Sequence, residues 1–369
     1  MKTKSKRRLL SSLVCAFILF VAPLGWTACG ETEVDNLPGV TITQTSTVEY
    51  DYSILPAYKD FASIAKREYL VPGLNEGIVP QGMDVWEEKN LLLISGYFDE
   101  ATNTSGSPSS MIVAVDLKTG EMAGKYCLKN VDGTDHLRHV GGLAVTKKNV
   151  FLANGSILFR IPLSQIEALG KSGELNIVEE IKVPTRASFC NYSNGVIWVG
   201  DYQDNNEHST PEWRHMTNND GGLYKAWTVG YQVKDTESEF SSENWSASTM
   251  EYATPDYVLS MTKQIQGFAF IDGQFVLSQS GGRNNNSTLL IYKNVLNNEQ
   301  DASLTLNDQS VPVWFLDSGV SVRNYTILPM SEAVASYNGK LLVLFETGTK
   351  KYRNAKCPTD HVWSMTLPE

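Results

Sequence analysis

The chain contains five histidines, and two of them stand three apart in DGTDHLRHVGGLAV, residues 132–145. Imidazole and carboxylate together suit zinc or another divalent ion, which needs three or four converging ligands. His136, His139 and Asp135 are the candidate ligands here, with Asp132 a further oxygen donor. A divalent cation is the one cofactor this stretch would take, and nothing else in the chain predicts a cofactor. No HExxH spacing and no helix fixes the geometry, so the same residues serve equally well as a polar loop feeding a buried strand.

Carboxylates offer a second chemistry. Asp84 interrupts the apolar run GMDVW, where a lone charge needs either a partner or a task. Asp201, Glu332 and Glu346 lie farther along, and Asp84, Asp201 and Glu332 or Glu346 could supply an acid and a base; His139 is a further acid/base candidate. Arg283 projects from the Gly-rich turn SQSGGRNNNS. Its planar fork suits bidentate binding of a carboxylate or phosphate, although a solvated loop arginine would look the same. His208 and His215 flank Trp213 in a long loop that would decorate a binding face.

The elements that position these groups emerge when the chain is laid on itself. A small residue opening a short apolar strand, then a tight polar turn, then a strongly hydrophobic strand recurs at 81, 141, 186, 266 and 332. The turns Ser193-Asn-Gly195, Asp272-Gly273 and Asn338-Gly339 are hairpin signals. Each unit carries a third strand, from Met111, Ser156, Gly222, Thr288 and Val362, and fourth strands begin near Gly124, Asn176 and Val311. Repeated four-stranded antiparallel units with variable loops are the signature of β-propeller blades. The expected fold is therefore all-β, a propeller of five blades, closed by an N-terminal strand from Lys66 that completes the last unit. A sixth blade would follow if EYATPDYVLSM from Glu251 were a degenerate unit. Helical periodicity is confined to LSQIEALG from Leu163.

This architecture predicts which residues meet. The residue before each small opening residue is Gln81, Gly141, Arg186, Gln266 and Glu332, which should ring the mouth of the central channel. His139 stands beside the gap that Gly141 leaves. The loops between second and third strands share that face and add Asp99, Asn154, Asp201, Tyr202, Asp204, Gln279, Arg283 and Glu346. The expected ligand-binding set is Gln81, His139, Arg186, Gln266, Arg283, Glu332 and Glu346.

Over residues 66–369 the chain resembles secreted bacterial propeller proteins of the broad YVTN/NHL-like and quinoprotein-like kind. The resemblance is one of architecture, with no WD dipeptide and no kelch double-glycine series. Glycoside hydrolases built on five blades hold carboxylates at the axis, which by analogy would cast Asp84, Asp201 and Glu332 or Glu346 as acid and base. A lactonase- or lyase-like propeller would instead use His136 or His139 with a bound ion. A scaffold for protein partners is a further alternative.

The ends give the address. Five positive charges in MKTKSKRR precede an apolar run from Leu9 to Leu24, the pattern of a secretory signal peptide. GWTACG then resembles the lipobox of bacterial lipoproteins, which implies lipidation of Cys29. Residues 29–47 read as a flexible polar tether and 48–369 as one propeller domain. Removing residues 1–28 takes five positive charges from a chain of net charge −10, leaving −15. Such an acidic protein is a poor partner for nucleic acid. Cys127, Cys190 and Cys357 are widely spaced and form no CxxC, which argues against a disulfide framework. The expected protein is an extracytoplasmic cell-envelope lipoprotein, secreted if the lipobox is not used. It is a monomer held to the membrane by its anchor and binds a small polar ligand, glycan or peptide at the channel mouth.

Overall fold

The structure is a computed structural model describing residues 41–49, 52–99 and 108–368. The signal segment 1–28 and the lipidation candidate Cys29 lie outside the described residues. The hydrophobic runs of the repeat, such as Leu91–Phe98 and Val196–Gly200, are buried almost throughout. That is the environment of a strand sandwiched between two neighbouring sheets.

Five sheets result. Blade 1 is Ile78–Trp86, Leu91–Phe98, Met111–Asp116 and Met122–Lys129. Blade 2 is Gly142–Val145, Asn149–Asn154, Ile157–Pro162 and Glu179–Lys182. Blade 3 is Phe189–Ser193, Val196–Gly200, Ala226–Gln232 and Tyr257–Met261. Blade 4 is Ile265–Ile271, Gln274–Gln279, Ser287–Lys293 and Ser321–Ile327. Blade 5 is Ser331–Tyr337, Lys340–Phe345 and His361–Met365, completed by the N-terminal strand Ala65–Leu70, which pairs antiparallel with His361–Met365. The closure removes a sheet edge that would otherwise offer unpaired backbone groups.

Each interface between adjacent blades holds its own apolar cluster. Trp86, Leu93 and Ile112 of blade 1 meet Leu143, Leu152 and Phe159 of blade 2. Phe189 and Trp198 of blade 3 meet Phe268 and Phe275 of blade 4. The small opening residues have a steric cause at the axis. A Cβ on Gly142 would lie 1.9 Å from the backbone nitrogen of Cys190, and one on Gly82 would lie 2.5 Å from Gly142. The innermost strands approach there until only glycine fits.

Three strand assignments differ from the repeat reading. The segment from Glu251 is no sixth blade, since Tyr257–Met261 is the outer strand of blade 3. The strand read from Val311 does not finish blade 4. It is Gln309–Phe315, which runs parallel to Tyr257–Met261 and, with Ala302–Leu306, widens the blade 3 sheet to six strands. Blade 4 is finished by Ser321–Ile327, whose first four residues are exposed, so it lacks the apolar run that marks the other strands. Blade 1 gains a fifth strand, Ser172–Asn176, parallel to Met122–Lys129 and following the short helix Leu163–Leu169.

Residues 41–47, read from composition as the end of a polar tether, make specific contacts with the propeller. Ile42 is buried, and Gln44 donates to the carbonyls of Leu70 and Gly120. The carboxylate of Asp360 accepts from the Ser46 hydroxyl and from the backbone N–H groups of Thr47 and Val48. Residues 41–48 are thus docked on the propeller, because threonine hydroxyls and backbone donors there find acceptors that composition cannot reveal.

Candidate functional site

The innermost strands of blades 1, 4 and 5 share a local irregularity at their first residues. The pairing register shifts between Pro80 and Gly82, between Ile265 and Gly267, and between Ser331 and Val334. The residues skipped in these β-bulges include Gln81, Gln266 and Glu332. A bulge re-aims a side chain that the two-residue strand period would place elsewhere. Here it delivers one polar side chain per blade to the channel mouth. Blade 3 uses another device: Ala187, buried beside Arg186, has φ of +51°, a conformation disfavoured for a residue with a Cβ.

The mouth is a cavity of about 630 Å³, and all five blades line it. Blade 1 gives Gln81 and Tyr97, and the lead-in to blade 2 gives His139. Blade 3 contributes Arg186, Tyr202 and His208, blade 4 Gln266 and Gly282, and blade 5 Glu332, Glu346 and Tyr352. Its base is a chain of hydrogen bonds crossing three blades. Gln81 Nε2 donates to Glu346 Oε2 (3.1 Å), Glu346 and Glu332 are hydrogen-bonded to each other, and Gln266 Nε2 donates to Glu332 Oε1 (3.1 Å). Both carboxyl groups are buried. Burial and the neighbouring Glu346 push Glu332 well above the usual carboxylate range. Burial raises Glu346 to about 7, against the opposing pull of its hydrogen bonds and of the Lys351 and Arg283 charges.

Aromatic and cationic groups form the wall. His139 stacks on Tyr97 with ring centroids 3.9 Å apart. Lys351 Nζ lies over Tyr97 (5.6 Å) and Tyr352 (5.2 Å) and pairs with Asp99 Oδ1 at 3.4 Å. Arg283 lies over the Tyr352 ring at 4.7 Å, with Nη1 donating to Asn354 Oδ1 (3.2 Å). Arg186 donates through Nη1 to the Ser209 carbonyl (3.3 Å) and stands 3.4 Å from His208 Nδ1. Tyr202 packs edge-on against His208.

Other candidates are placed elsewhere. Asp84 lies at the opposite end of the channel, on a separate cavity of about 310 Å³ lined also by Val145, Tyr192 and Ser336. It accepts from the backbone N–H groups of Val85 (2.8 Å), Val145 (2.8 Å) and Tyr192, which ties three blades together. Burial raises it to about 7. Asp201 is fully buried beneath Arg214 (3.3 Å) and accepts from the backbone N–H groups of Arg186 (2.6 Å) and Trp227 (3.0 Å). It fixes the Arg186 backbone rather than facing the cavity. Asp84 and Asp201 therefore converge neither with each other nor with the blade 5 glutamates.

The metal candidates diverge as well. His136 is fully buried against the edge of Phe159, with Nδ1 2.7 Å from Asn130 Oδ1, and burial lowers its imidazole to about 4. His139 turns to the mouth, and Asp135 pairs with Lys129 at 2.7 Å. No group of three potential ligands able to hold a metal ion occurs among the described residues. The loop's register explains this. The backbone of His136 bridges Ser110 and Leu128 on blade 1, which buries one imidazole and leaves the other three residues on at the axis. Trp213 packs edge-on against Trp227, and His215 Nε2 sits 3.2 Å from the Thr210 hydroxyl.

No family model matches the sequence, and no curated protein matches it. Solved structures resemble it in architecture. The GH43_1 enzyme from Xanthomonas citri is 10% identical at a TM-score of 0.41, over 85% of this chain and 93% of that one. Glutaminyl cyclase from Myxococcus xanthus is 11% identical at 0.34, over 82% and 97%. Kuenenia stuttgartiensis hydrazine synthase is 11% identical at 0.33, over 72% of this chain and 55% of that one, so the chain spans about half of that protein's length. These likenesses bear on the propeller fold alone and carry nothing about the mouth.

Sequence reasoning missed Tyr97 as the platform of the mouth. It ends the second strand of blade 1, two residues before Asp99, and the same loop position that singled out Asp99 would have found it.

Proposed function

We propose that the protein is an extracytoplasmic, membrane-tethered propeller that binds a small polar ligand, of glycan type, at its channel mouth. The observation that carries this reading is the chain Gln81–Glu346–Glu332–Gln266 at the base of an aromatic-walled cavity. Amides and a protonated carboxyl pair offer both donors and acceptors, as a polyhydroxylated ligand requires, and Tyr97, Tyr202 and Tyr352 offer apolar ring faces and phenol groups. A peptide is the second ligand class that such groups suit. The resemblance of residues 1–29 to a lipoprotein leader supports the tether through Cys29 and the cell-envelope location. The kinship with YVTN/NHL-like or quinoprotein-like propellers rests on architecture. On this reading the protein acts as a monomer, without nucleic acid; no cofactor is called for, although a divalent cation is compatible with it.

Hydrolysis is the alternative that the raised carboxyl groups keep open, since an acid titrating near neutrality is suited to proton transfer. Their direct hydrogen bond weighs against a glycosidase, whose two carboxyl groups flank the scissile bond about 5–5.5 Å or more apart. A thermal-shift screen of the purified protein against sugars, nucleotides, organic acids, peptides and divalent ions tests the proposal. A saccharide should raise the melting temperature, and Gln266→Ala should abolish the shift. If no small molecule shifts the protein and a protein partner is captured instead, the scaffold reading replaces this one. Release of product from a bound saccharide would make the protein a hydrolase.

A further inference from the structure

The charge around the mouth does not match that of the chain. The protein has a formal net charge of −10, yet Arg186 at this cavity forms no salt bridge among the described residues, and Arg283, next to the lining Gly282, acts on Glu346 only through its charge, with no salt bridge. Arg186 lines the cavity, half-buried, and its guanidinium reaches only the Ser209 carbonyl and the His208 ring. The nearby Asp201 carboxylate is already committed to Arg214 and to two backbone N–H groups. Arg283 reaches only Asn354 and the face of Tyr352.

The remaining charges do not cancel these two. Lys351 is offset by Asp99. Glu332 and Glu346 are hydrogen-bonded to each other, and such a contact between two carboxyl groups requires a shared proton, so the pair contributes at most one negative charge. The mouth therefore keeps a forked cationic donor in its wall, Arg186, beside groups that bind hydroxyls. A guanidinium without a counter-ion at a concave polar site is suited to a planar anion, which it can bind bidentately.

We infer that the ligand of this cavity is a sugar acid, whose carboxylate is received by Arg186 with Arg283 at the rim and whose hydroxyl groups meet Gln81, Gln266 and the glutamate pair. The inference rests on the proposal that the mouth binds a glycan-type ligand, and it adds the charge of that ligand.

Titration calorimetry of the full protein, at one pH and low salt, compares oligogalacturonate with the neutral galactose oligomer of equal length. The acidic oligomer should bind at least tenfold more tightly, and raising the salt concentration should weaken it selectively. Arg186→Gln should remove most of that preference, and Arg283→Gln a smaller part, with melting temperatures near that of the wild type. Arg186→Lys, which keeps the charge and loses the fork, should restore only part of it. Equal affinity for the acidic and neutral oligomers, or an acidic preference untouched by Arg186→Gln, overturns this inference and leaves the glycan-binding proposal standing. Binding of neither oligomer, together with no saccharide active in the thermal-shift screen, overturns both.

Discussion

Glu332 and Glu346 meet through a direct hydrogen bond at the floor of the mouth, one from the bulged opening of blade 5's innermost strand and the other from the end of the strand beside it. Two carboxyl groups in contact cannot both ionise cheaply, and burial adds to the penalty. Each is anchored by a glutamine from another blade, so their protonation couples to the alignment of three blades.

This pairing sets a sign for stability against pH. Both carboxyl groups titrate higher in the folded protein than in the unfolded chain, Glu346 at about 7. The folded state thus holds protons that the unfolded chain releases from about pH 4 upward, and stability falls as pH rises from there through 7. Glu346→Gln keeps a hydrogen-bonding group and removes one of these ionisations. Urea denaturation at pH 5, 6, 7 and 8 should show a smaller loss between pH 5 and 8 in the variant than in the wild type, by roughly 1–3 kcal/mol. Asp84, also raised to about 7, and Glu332, raised chiefly by burial, act in the same direction, so a residual slope should persist and Asp84→Asn should reduce it further. His136, lowered by burial, works in the opposite direction below about pH 6.5, but it is common to both proteins and cancels in the comparison. Superimposable pH profiles for variant and wild type would refute the shared-proton pair.

Asp201 should behave as a structural partner of Arg214. The guanidinium is only 3% exposed and faces Asp201 Oδ1 at 3.3 Å. Asp201→Ala strands that charge and orphans the N–H groups of Arg186 and Trp227, which should cost about 3–5 kcal/mol. Adding Arg214→Met removes the stranded charge and should recover part of the loss. A double-mutant cycle measured by chemical denaturation checks this. Additive losses in the double variant would mean that the two side chains do not act as a pair.

The contrast between Asp201 and Gln81 shows how far the sequence could be read. Blade count, N-terminal closure and the ring of Gln81, Arg186, Gln266 and Glu332 follow from one periodic feature, the small residue that begins each innermost strand. That feature is sterically forced, because inner strands crowd at the axis, and so it survives in every unit. Asp201 and Asp84 carry no such mark. Whether a carboxylate faces solvent, a guanidinium or three backbone donors depends on a neighbouring blade, which one unit's pattern does not encode. The two histidines failed for a related reason: spacing along a loop says nothing of which backbone hydrogen bonds turn one imidazole inward. The strand Ser321–Ile327 was invisible because its outer position exposes most of its side chains.

The steric reading of the axis can be tested at Gly142. An alanine there would place Cβ 1.9 Å from Cys190 N and 2.6 Å from Phe189 C, both backbone atoms that cannot rotate away. Blades 2 and 3 would have to separate at the throat, and overpacking of this kind costs about 1–3 kcal/mol or more. Gly120→Ala is the control for general loss of glycine at an open site: no atom lies within 4 Å of its Cβ position, although its φ of +76° adds modest strain. Thermal denaturation should rank Gly142→Ala well below Gly120→Ala. An equal ranking would show that the throat is looser than the contacts imply.

Asp360 should act as the clip for the N-terminal segment. Its side chain is fully buried, contacts His361 Nδ1 at 2.6 Å and Arg67 Nη2 at 3.5 Å, and accepts from Ser46, Thr47 and Val48. Burial alone would raise its carboxyl group, but the His361, Thr47 and Ser46 hydrogen bonds outweigh it and hold the group well below the usual carboxylate range. The stabilisation is therefore present above about pH 4 and is lost as pH falls below the ordinary aspartate value. Asp360→Ala removes every acceptor at once. Amide hydrogen exchange should then accelerate at Thr47 and Val48, while the inner strand Lys340–Phe345 of the same blade stays protected. Limited proteolysis should gain a cut within residues 41–48. Unchanged exchange at Thr47 and Val48 would place the anchor of this segment elsewhere, at Gln44 and Ile42.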